Sequence, residues 1–212
     1  MKGVMIETGI KELDIFWNNS LHKSKLILLV ARPGMGKTSF LMSIGKLISQ
    51  KHRTLIFSLE YAAKNLERIN PNDSLVIDDT SQLDVQQLSE IIASKNAEVV
   101  LIDYIQLLGG NRVTLLQDLK KIAKNMNICL IVNSQIGREP EYRVMSERRP
   151  LISDLTGSTL FNLDNLSYID NLTFMYRDQY YNPSTEKRDV IELIHYINDT
   201  ATSVKLEWSI LS

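Results

Sequence analysis

Short runs of apolar and β-branched residues alternate along the chain with stretches whose apolar residues recur at helical spacing. Residues 25–31 (KLILLVA) are apolar on both faces, as expected for a strand buried inside a parallel sheet. Residues 38–49 follow with apolar side chains three and four positions apart, which predicts an amphipathic helix. Strands that alternate with helices in this way predict a parallel α/β sheet.

The same patterns predict the elements that follow. Further strands are expected at residues 54–59, 75–77, 99–104 and 128–134, and further helices at residues 84–94 and 114–127. The run at 99–104 (VVLIDY) is read as a central strand, and the run at 128–134 (ICLIVNS) as another buried one.

The pattern changes after residue 134. Residues 136–150 contain a glycine, two prolines and many charges, which predicts a loop. Beyond it, strands are predicted at 172–176, 190–197 and 204–208, separated by turns at 181–184 and 198–200. These strands are expected to form an antiparallel or mixed edge of the same sheet. We therefore predict one α/β domain over residues 1–212, with a mostly parallel central sheet flanked by helices.

The composition indicates a cellular compartment but does not indicate a function. The net charge is −1, so any contact with DNA would require a local basic patch. The single cysteine, Cys129, lies in an apolar run and is expected to be buried in a reducing compartment. No apolar stretch is long enough to cross a membrane, and the N-terminus has no secretory pattern. We expect a cytoplasmic protein without a membrane partner.

The strongest chemical signal is the run ARPGMGKTS at residues 31–39, which fits the Walker A pattern except that Ala31 holds the first glycine position. Such a loop turns backbone N–H groups toward phosphate oxygens at the start of a helix. Gly36 allows close approach of the backbone, Lys37 reaches the β/γ oxygens and takes part in the chemistry, and Thr38 offers a hydroxyl to Mg²⁺. ATP and Mg²⁺ are therefore the expected cofactors. The nucleotide-binding residues are Arg32, Pro33, Gly34, Met35, Gly36, Lys37, Thr38 and Ser39.

Other polar residues end strands at the edge where the loop lies. Asp103 closes an apolar run in the manner of a Walker B aspartate that helps to hold Mg²⁺. Glu60 is a candidate for orienting the attacking water, and Gln135 for sensing the γ-phosphate. Each of the three has a simpler alternative as a polar strand end. For Asp78 and Asp79, a structural role in a turn is at least as well supported as a role in the site.

A series of short motifs extends the pattern over nearly the whole chain: TGIKELD at 8–14, ARPGMGKT at 31–38, FSLE at 57–60, IDDT at 77–80, IDYIQL at 102–107, SQ at 134–135, RPLISDL at 149–155 and YRD at 176–178. In this order they resemble the C-terminal ATPase domain of DnaB-type replicative helicases, a hexameric RecA-like family. The resemblance implies that Glu60 is the catalytic glutamate, Asp103 the Walker B aspartate and Gln135 the γ-phosphate sensor. It also implies ATP hydrolysis that drives movement along single-stranded DNA, with replication proteins as further partners.

The chain departs from the family at the position of its trans-acting cations. The family places a Lys-x-Arg pair at a late strand end, where it reaches into the neighbouring subunit's ATP. Here the corresponding residues are His195, Tyr196 and Ile197. Arg177 belongs to the separate YRD motif and is not expected to replace the pair. The family's N-terminal helical domain and linker helix have no counterpart in the sequence, and residues 61–74 are shorter than the family's helical insertion. We expect weak self-association.

The expected DNA-contacting loop also differs. Residues 156–159 read TGST where the family has a basic-acidic stretch. The arginines of the preceding loop are nearly balanced by its glutamates: Arg138, Arg143, Arg148 and Arg149 against Glu139, Glu141 and Glu147. A loop that contacts phosphates normally has a clearer positive excess.

Two hypotheses from different classes remain. The first is an ATPase that acts on single-stranded DNA as an oligomer, and it is favoured narrowly by intact Glu60, Asp103 and Gln135. The second is a degenerate paralogue that binds ATP and a DNA or replication-protein partner but barely hydrolyses the nucleotide. A RecA-like recombination or clock-type ATPase would fit the P-loop but not the YRD motif.

Overall fold

A computed structural model describes residues 5–17, 21–61, 74–144, 147–155, 160–161, 163–186, 188–197 and 200–211. The strands are β1 Leu26–Ala31, β2 Thr54–Ser58, β3 Leu75–Asp78, β4 Val99–Asp103, β5 Cys129–Gln135, β6 Asn171–Tyr176, β7 Val190–Ile197 and β8 Thr200–Glu207. The helices are α1 Lys11–Phe16, α2 Lys37–Ile48, α3 Val85–Lys95, α4 Leu115–Asn125, α5 Leu163–Leu166 and α6 Asp178–Tyr181. Short 3-10 helices lie at Ile105–Leu107, Glu139–Tyr142, Ile152–Leu155 and Trp208–Leu211.

The strands form an eight-stranded mixed sheet in the order β3-β2-β4-β5-β1-β6-β7-β8. All pairs from β3 to β6 are parallel, and β6–β7 and β7–β8 are antiparallel. Every residue of β1, β2 and β4 is buried, as the double-faced apolar runs indicate. The prediction of a parallel sheet with an antiparallel C-terminal edge is confirmed.

The last strand was placed wrongly by the sequence pattern. A strand was expected only at 204–208, but β8 already begins at Thr200, and Trp208 starts a 3-10 helix. Residues 200–203 are exposed on an edge strand, so their polar side chains show no apolar alternation and resemble a turn. The rest of the predicted turn, residues 198–199, lies outside the described part of the chain.

Several short helices also went unforeseen. The loop expected at 136–150 contains the 3-10 helix Glu139–Tyr142, and α1, α5 and α6 had no predicted counterpart. Each is only four to six residues long, which is too short for a helical period to show in the sequence. Trp17, next to α1, is fully buried, and its indole N–H donates to Thr173 Oγ1 on β6 at 3.0 Å.

The amino edge of the sheet, where the parallel strands begin, is held by a carboxylate that has several partners. Asp170 accepts hydrogen bonds from the Leu26 N–H at 2.8 Å and from Lys25 Nζ at 2.9 Å, and it also pairs with Lys120. Burial alone would raise the pKa of Asp170, but these hydrogen bonds outweigh it and hold the pKa below its ordinary value. Asp170 thereby joins the starts of β1 and β6 to α4.

Cys129 is fully buried at the start of β5, as its apolar surroundings in the sequence predicted. Burial raises the pKa of its thiol to about 12, so the side chain behaves as a small apolar group. Among the described residues, no helix combines the length and apolar content needed to cross a membrane.

Candidate nucleotide site

The loop between β1 and α2 contains two glycines in left-handed backbone conformations. Gly34 has φ +80° and Gly36 has φ +90°. A Cβ atom would stand 2.8 Å from Tyr180 Cε2 at Gly34, and 2.9 Å from Trp208 Cη2 at Gly36. Glycine is therefore required here both by the backbone angles and by the aromatic side chains packed against the loop.

Helix α2 begins directly after this loop, and neither a side-chain cap nor an acidic residue in its first turn offsets the positive end of its dipole. The free N–H groups and the positive end of the helix dipole therefore face the loop, which is the arrangement that binds anions. Thr38 is half-buried, Ser39 is exposed, and Met35 is buried.

Lys37 lies under the loop rather than in solvent. The residue is 6% exposed, and Nζ donates to the carbonyl oxygens of Ala31 at 3.2 Å and Arg32 at 3.1 Å. Burial lowers the pKa of Lys37 to about 8, although the negative charges of Asp103 and Glu60 act against that shift. The amine is thus buried beside the N-terminus of α2, and both carboxylates are near enough to affect its pKa.

Arg32 connects the loop to the segment that follows β5. Its Nε donates to Glu141 Oε1 at 3.0 Å, the two side chains form an ion pair, and Nη1 donates to the Ile136 carbonyl at 3.3 Å. Pro33, next to it, is exposed. Arg32 therefore anchors the loop through its side chain.

Asp103, at the end of β4, is held by a residue that the sequence did not single out. Asp103 is 1% exposed, and its Oδ1 accepts from Asn133 Nδ2 on β5 at 2.7 Å. Within the described part of the chain, Asp103 Oδ2 and Asn133 Oδ1 have no hydrogen-bond partner. A buried acceptor without a partner costs roughly 1–3 kcal/mol, so two neighbouring ones call for donors from water or from a bound ligand.

Gln135 ends β5 and lies opposite Ala31 in the parallel register with β1. Its backbone is fixed by Gln106, whose Nε2 donates to Gln135 O at 3.0 Å and to Ser134 Oγ at 2.9 Å. Arg112 in turn donates to the Gln106 carbonyl at 2.8 Å. The end of β5 beside the glycine loop is thus held by side chains.

Glu60 follows β2 and is exposed at the same edge of the sheet. Its charge is the main cause of the raised pKa of Tyr61. The pKa of Tyr104 is raised mainly by burial, and the charge of Glu60 is the second cause. Asp78, by contrast, accepts the Thr80 N–H at 2.9 Å, the turn role that the sequence allowed. Glu60, Lys37 and Asp103 therefore share one electrostatic environment.

The residues at the position of the family's trans-acting pair pack within the chain. His195 contacts Phe16 edge to face, with ring centroids 6.3 Å apart, and burial lowers its pKa. The Tyr196 hydroxyl donates to the Pro150 carbonyl at 2.8 Å. Arg177 lies over the Trp208 ring, 5.1 Å from its centroid, and is 3.8 Å from Asp189. The Ile197 side chain is outside the described part.

Arginines of the 136–155 segment are also engaged internally. Arg143 forms a bidentate ion pair with Asp154: Nη1 donates to Oδ1 at 2.7 Å, and Nη2 donates to Oδ2 at 2.9 Å. Arg149 pairs with Glu192 at 2.8 Å, and Arg148 lies over the Tyr181 ring. Arg138 is exposed. The TGST stretch at 156–159, expected to contact DNA in the family, lies outside the described residues.

Four contributors to the site were missed at the sequence level: Asn133, Gln106, Tyr180 and Trp208. An asparagine directly after the apolar run CLIV at the start of β5 was the one visible signal, since a polar residue there requires a partner. The two aromatic residues carried no signal, because they meet the loop only through the fold.

A strand, a glycine loop and a helix, with a buried aspartate on a nearby parallel strand, define a P-loop protein of the RecA-like class. The RadB recombinase has this fold, with a TM-score of 0.61 and 16% identity over 96% of each chain. The chain belongs to the family of the DnaB-like helicase C-terminal domain, whose model matches residues 5–70 and 68–209. The resemblance stated from the motifs is confirmed.

Individual relatives agree with this family. The replicative DNA helicase DnaB of Geobacillus stearothermophilus is 29% identical, and the replicative DNA helicase DnaC of Bacillus subtilis (strain 168) is 30% identical. Each match covers 89% of this chain and 51% of the relative, so the chain spans about half the length of these curated relatives. A DnaB-like replicative helicase, solved in a study of its interactions with primase, has the same fold. It superimposes with a TM-score of 0.80 and 24% identity, covering 98% of this chain and 60% of that one.

Proposed function

We propose that this chain is the ATP-binding and ATP-hydrolysing module of a DnaB-like replicative helicase. The observation that carries the proposal is the uncapped start of α2 beside a buried Lys37, with the unpartnered Asp103 Oδ2 at the same sheet edge of the described structure. A buried amine and free helix N–H groups fit phosphates, and a carboxylate with a free oxygen fits the magnesium that accompanies them.

The residues present suit this ligand in distinct roles. The loop 32–36 and the first turn of α2 would bind the phosphates through backbone N–H groups, and Lys37 would add a positive charge. Thr38 and Asp103 would hold Mg²⁺, which when bound neutralises charge on the transferred phosphoryl group. Glu60 would orient and deprotonate the attacking water, and Gln135 would detect the γ-phosphate from the end of β5.

Action on single-stranded DNA and assembly into a hexamer are extensions of the same proposal. They are supported by family membership and by the names of the relatives, which are replicative DNA helicases. A binding module with slow hydrolysis is the second candidate. It is favoured by the packing of His195 and Tyr196 within the chain and by the internal ion pairs of Arg143 and Arg149. That residues 1–212 act as one domain stays a prediction.

One experiment tests both candidates. Calorimetry with ATP and Mg²⁺ measures nucleotide binding. Steady-state ATP turnover is measured with and without single-stranded DNA. Light scattering over a protein-concentration series gives the mass of the particle. Binding with turnover that rises with DNA and oligomer formation supports the helicase module. Binding with slow, DNA-independent turnover of a monomer supports the second candidate. A folded protein that does not bind ATP contradicts both.

A further inference from the structure

Asn133 is a fully buried polar residue inside a strand whose preceding residues are apolar. Residues 129–132 of β5 read CLIV, and Asn133 is 0% exposed. A leucine of similar shape would fill this position without a polar group to satisfy. The presence of an amide therefore requires a reason in the contacts that it makes.

The amide's orientation follows from its neighbour. The Asn133 nitrogen faces Asp103, because Asn133 Nδ2 donates to Asp103 Oδ1 at 2.7 Å. The backbone pairing of β4 with β5 extends from Val99 to Ile102, and the Asn133–Asp103 contact continues the link between the strands beyond it. Asp103 is thus held by a donor on the adjacent strand.

Both remaining acceptors of this pair lack a partner within the part of the chain that the structure describes. Asp103 Oδ2 and Asn133 Oδ1 are buried and receive no hydrogen bond from the described residues. Buried acceptors are normally satisfied, so a pair of them beside the proposed phosphate site indicates donors that come with a ligand. The water molecules around a hydrated Mg²⁺ are such donors, because magnesium usually keeps several of its waters in protein sites.

We propose that Asn133 is a positioning residue of the magnesium site: its amide nitrogen fixes the Asp103 carboxylate, and its amide oxygen joins Asp103 Oδ2 in accepting from the waters of Mg²⁺. The inference rests on the proposed function and extends it to a residue on a second strand. Outer-sphere partners of this kind typically change metal affinity by about 10–100-fold when they are removed.

The test compares Asn133→Leu with the wild-type protein by calorimetry, with a non-hydrolysable ATP analogue as the probe. Each protein is titrated at a series of Mg²⁺ concentrations and in EDTA. In Asn133→Leu, the Mg²⁺ concentration that gives the half-maximal gain in nucleotide affinity should rise by about 10-fold or more. The affinity in EDTA should stay unchanged, because the phosphate-binding loop is intact.

Asn171 offers a matched control. It is a buried asparagine of the same sheet, 2% exposed, but it lies on β6 at the opposite edge, where its Oδ1 accepts from Thr173 Oγ1 at 2.6 Å. Asn171→Leu should lower the midpoint of thermal unfolding and leave the Mg²⁺ dependence as in the wild type. Asn133→Val, β-branched and suited to a strand, gives a second test if Asn133→Leu does not fold.

The double variant Asp103→Asn/Asn133→Leu distinguishes a shared role from two separate ones. If Asn133 only fixed the Asp103 carboxylate, the double variant would respond to Mg²⁺ as Asp103→Asn alone does. Direct acceptance by Asn133 Oδ1 predicts a weaker Mg²⁺ response in the double variant, and an equal response would overturn that part of the inference. Unchanged Mg²⁺ dependence in a folded Asn133 variant would overturn the inference while the proposed function stands. Nucleotide binding by the wild type that is independent of Mg²⁺, or no binding at all, would instead contradict the proposed function, and the inference with it.

Discussion

Two aspartates, the half-buried Asp170 at the amino edge of the parallel sheet and the buried Asp103 at its carboxyl edge, differ in how many hydrogen bonds they receive. Asp170 at the amino edge accepts from a backbone N–H and two lysines, so the starts of β1 and β6 and the helix α4 are tied together. Asp103 at the carboxyl edge receives one hydrogen bond and keeps one oxygen without a described partner. The comparison supports a division in which the amino edge stabilises the fold and the carboxyl edge contains the proposed nucleotide site.

The largest effect on nucleotide affinity is expected at the carboxyl edge from Lys37→Ala. The variant removes the buried amine beneath the loop. Truncating one partner of a buried charge pair typically costs about 2–5 kcal/mol, so nucleotide affinity should fall by about 30-fold to several thousand-fold. Calorimetry measures the affinity, and thermal unfolding checks that the fold is retained. Lys46→Ala, an exposed position on the same helix, is the control and should bind normally. Unchanged ATP affinity in folded Lys37→Ala would remove this site from consideration.

Glu60→Gln should affect turnover alone. A general base contributes about 10²–10⁴-fold to rate, so we expect a loss of that order with normal ATP binding. The measurement pairs single-turnover hydrolysis with calorimetry on the same preparation. Equal turnover in both proteins would return Glu60 to the role of a polar strand end.

Asp170→Asn sharpens the comparison from the other edge. It leaves Lys120, whose side chain is 11% exposed, without its anion, so the free energy of unfolding should fall by about 2–3 kcal/mol. Urea unfolding measures the loss, and nucleotide affinity should be unaffected. A variant of normal stability, or one that folds but loses nucleotide binding, would show that the two edges are not separate in function.

The smallest effect is expected in the pH dependence of the contribution that Asp170 makes to the free energy of unfolding. The folded pKa of Asp170 lies below its ordinary 3.8, so its contribution is fully present above that value and is lost as pH falls through the folded pKa. The unfolding free energies of wild type and Asp170→Asn should therefore differ at pH 7, begin to converge as pH falls below 3.8, and meet only below the folded pKa of Asp170. A difference that persists unchanged to pH 3 would mean that Asp170 acts through its shape and not through its charge.

The sequence predicted features that are local in the chain and missed those that the fold assembles. The P-loop is contiguous, and buried strands such as β1 are apolar at every position, so both could be recognised directly. β8 was misplaced because an exposed edge strand has no buried face to impose alternation. The Asn133–Asp103 and Gln106–Gln135 contacts join residues 30 and 29 positions apart, and no local pattern encodes such a pairing.

The indole of Trp208 against Gly36 gives the protein a built-in optical reporter. The chain has two tryptophans. Trp17 is fully buried, whereas Trp208 is half-buried and lies so close to the loop that a Cβ at Gly36 would stand 2.9 Å from its ring. The wavelength of indole emission depends on the polarity and packing around the ring. The emission of buried Trp17 should lie at short wavelength and stay constant, whereas the emission of Trp208 should change when a ligand occupies the loop. In Trp17→Phe the indole fluorescence of the whole protein would come from Trp208, and events at Gly36 could be followed in real time without a label.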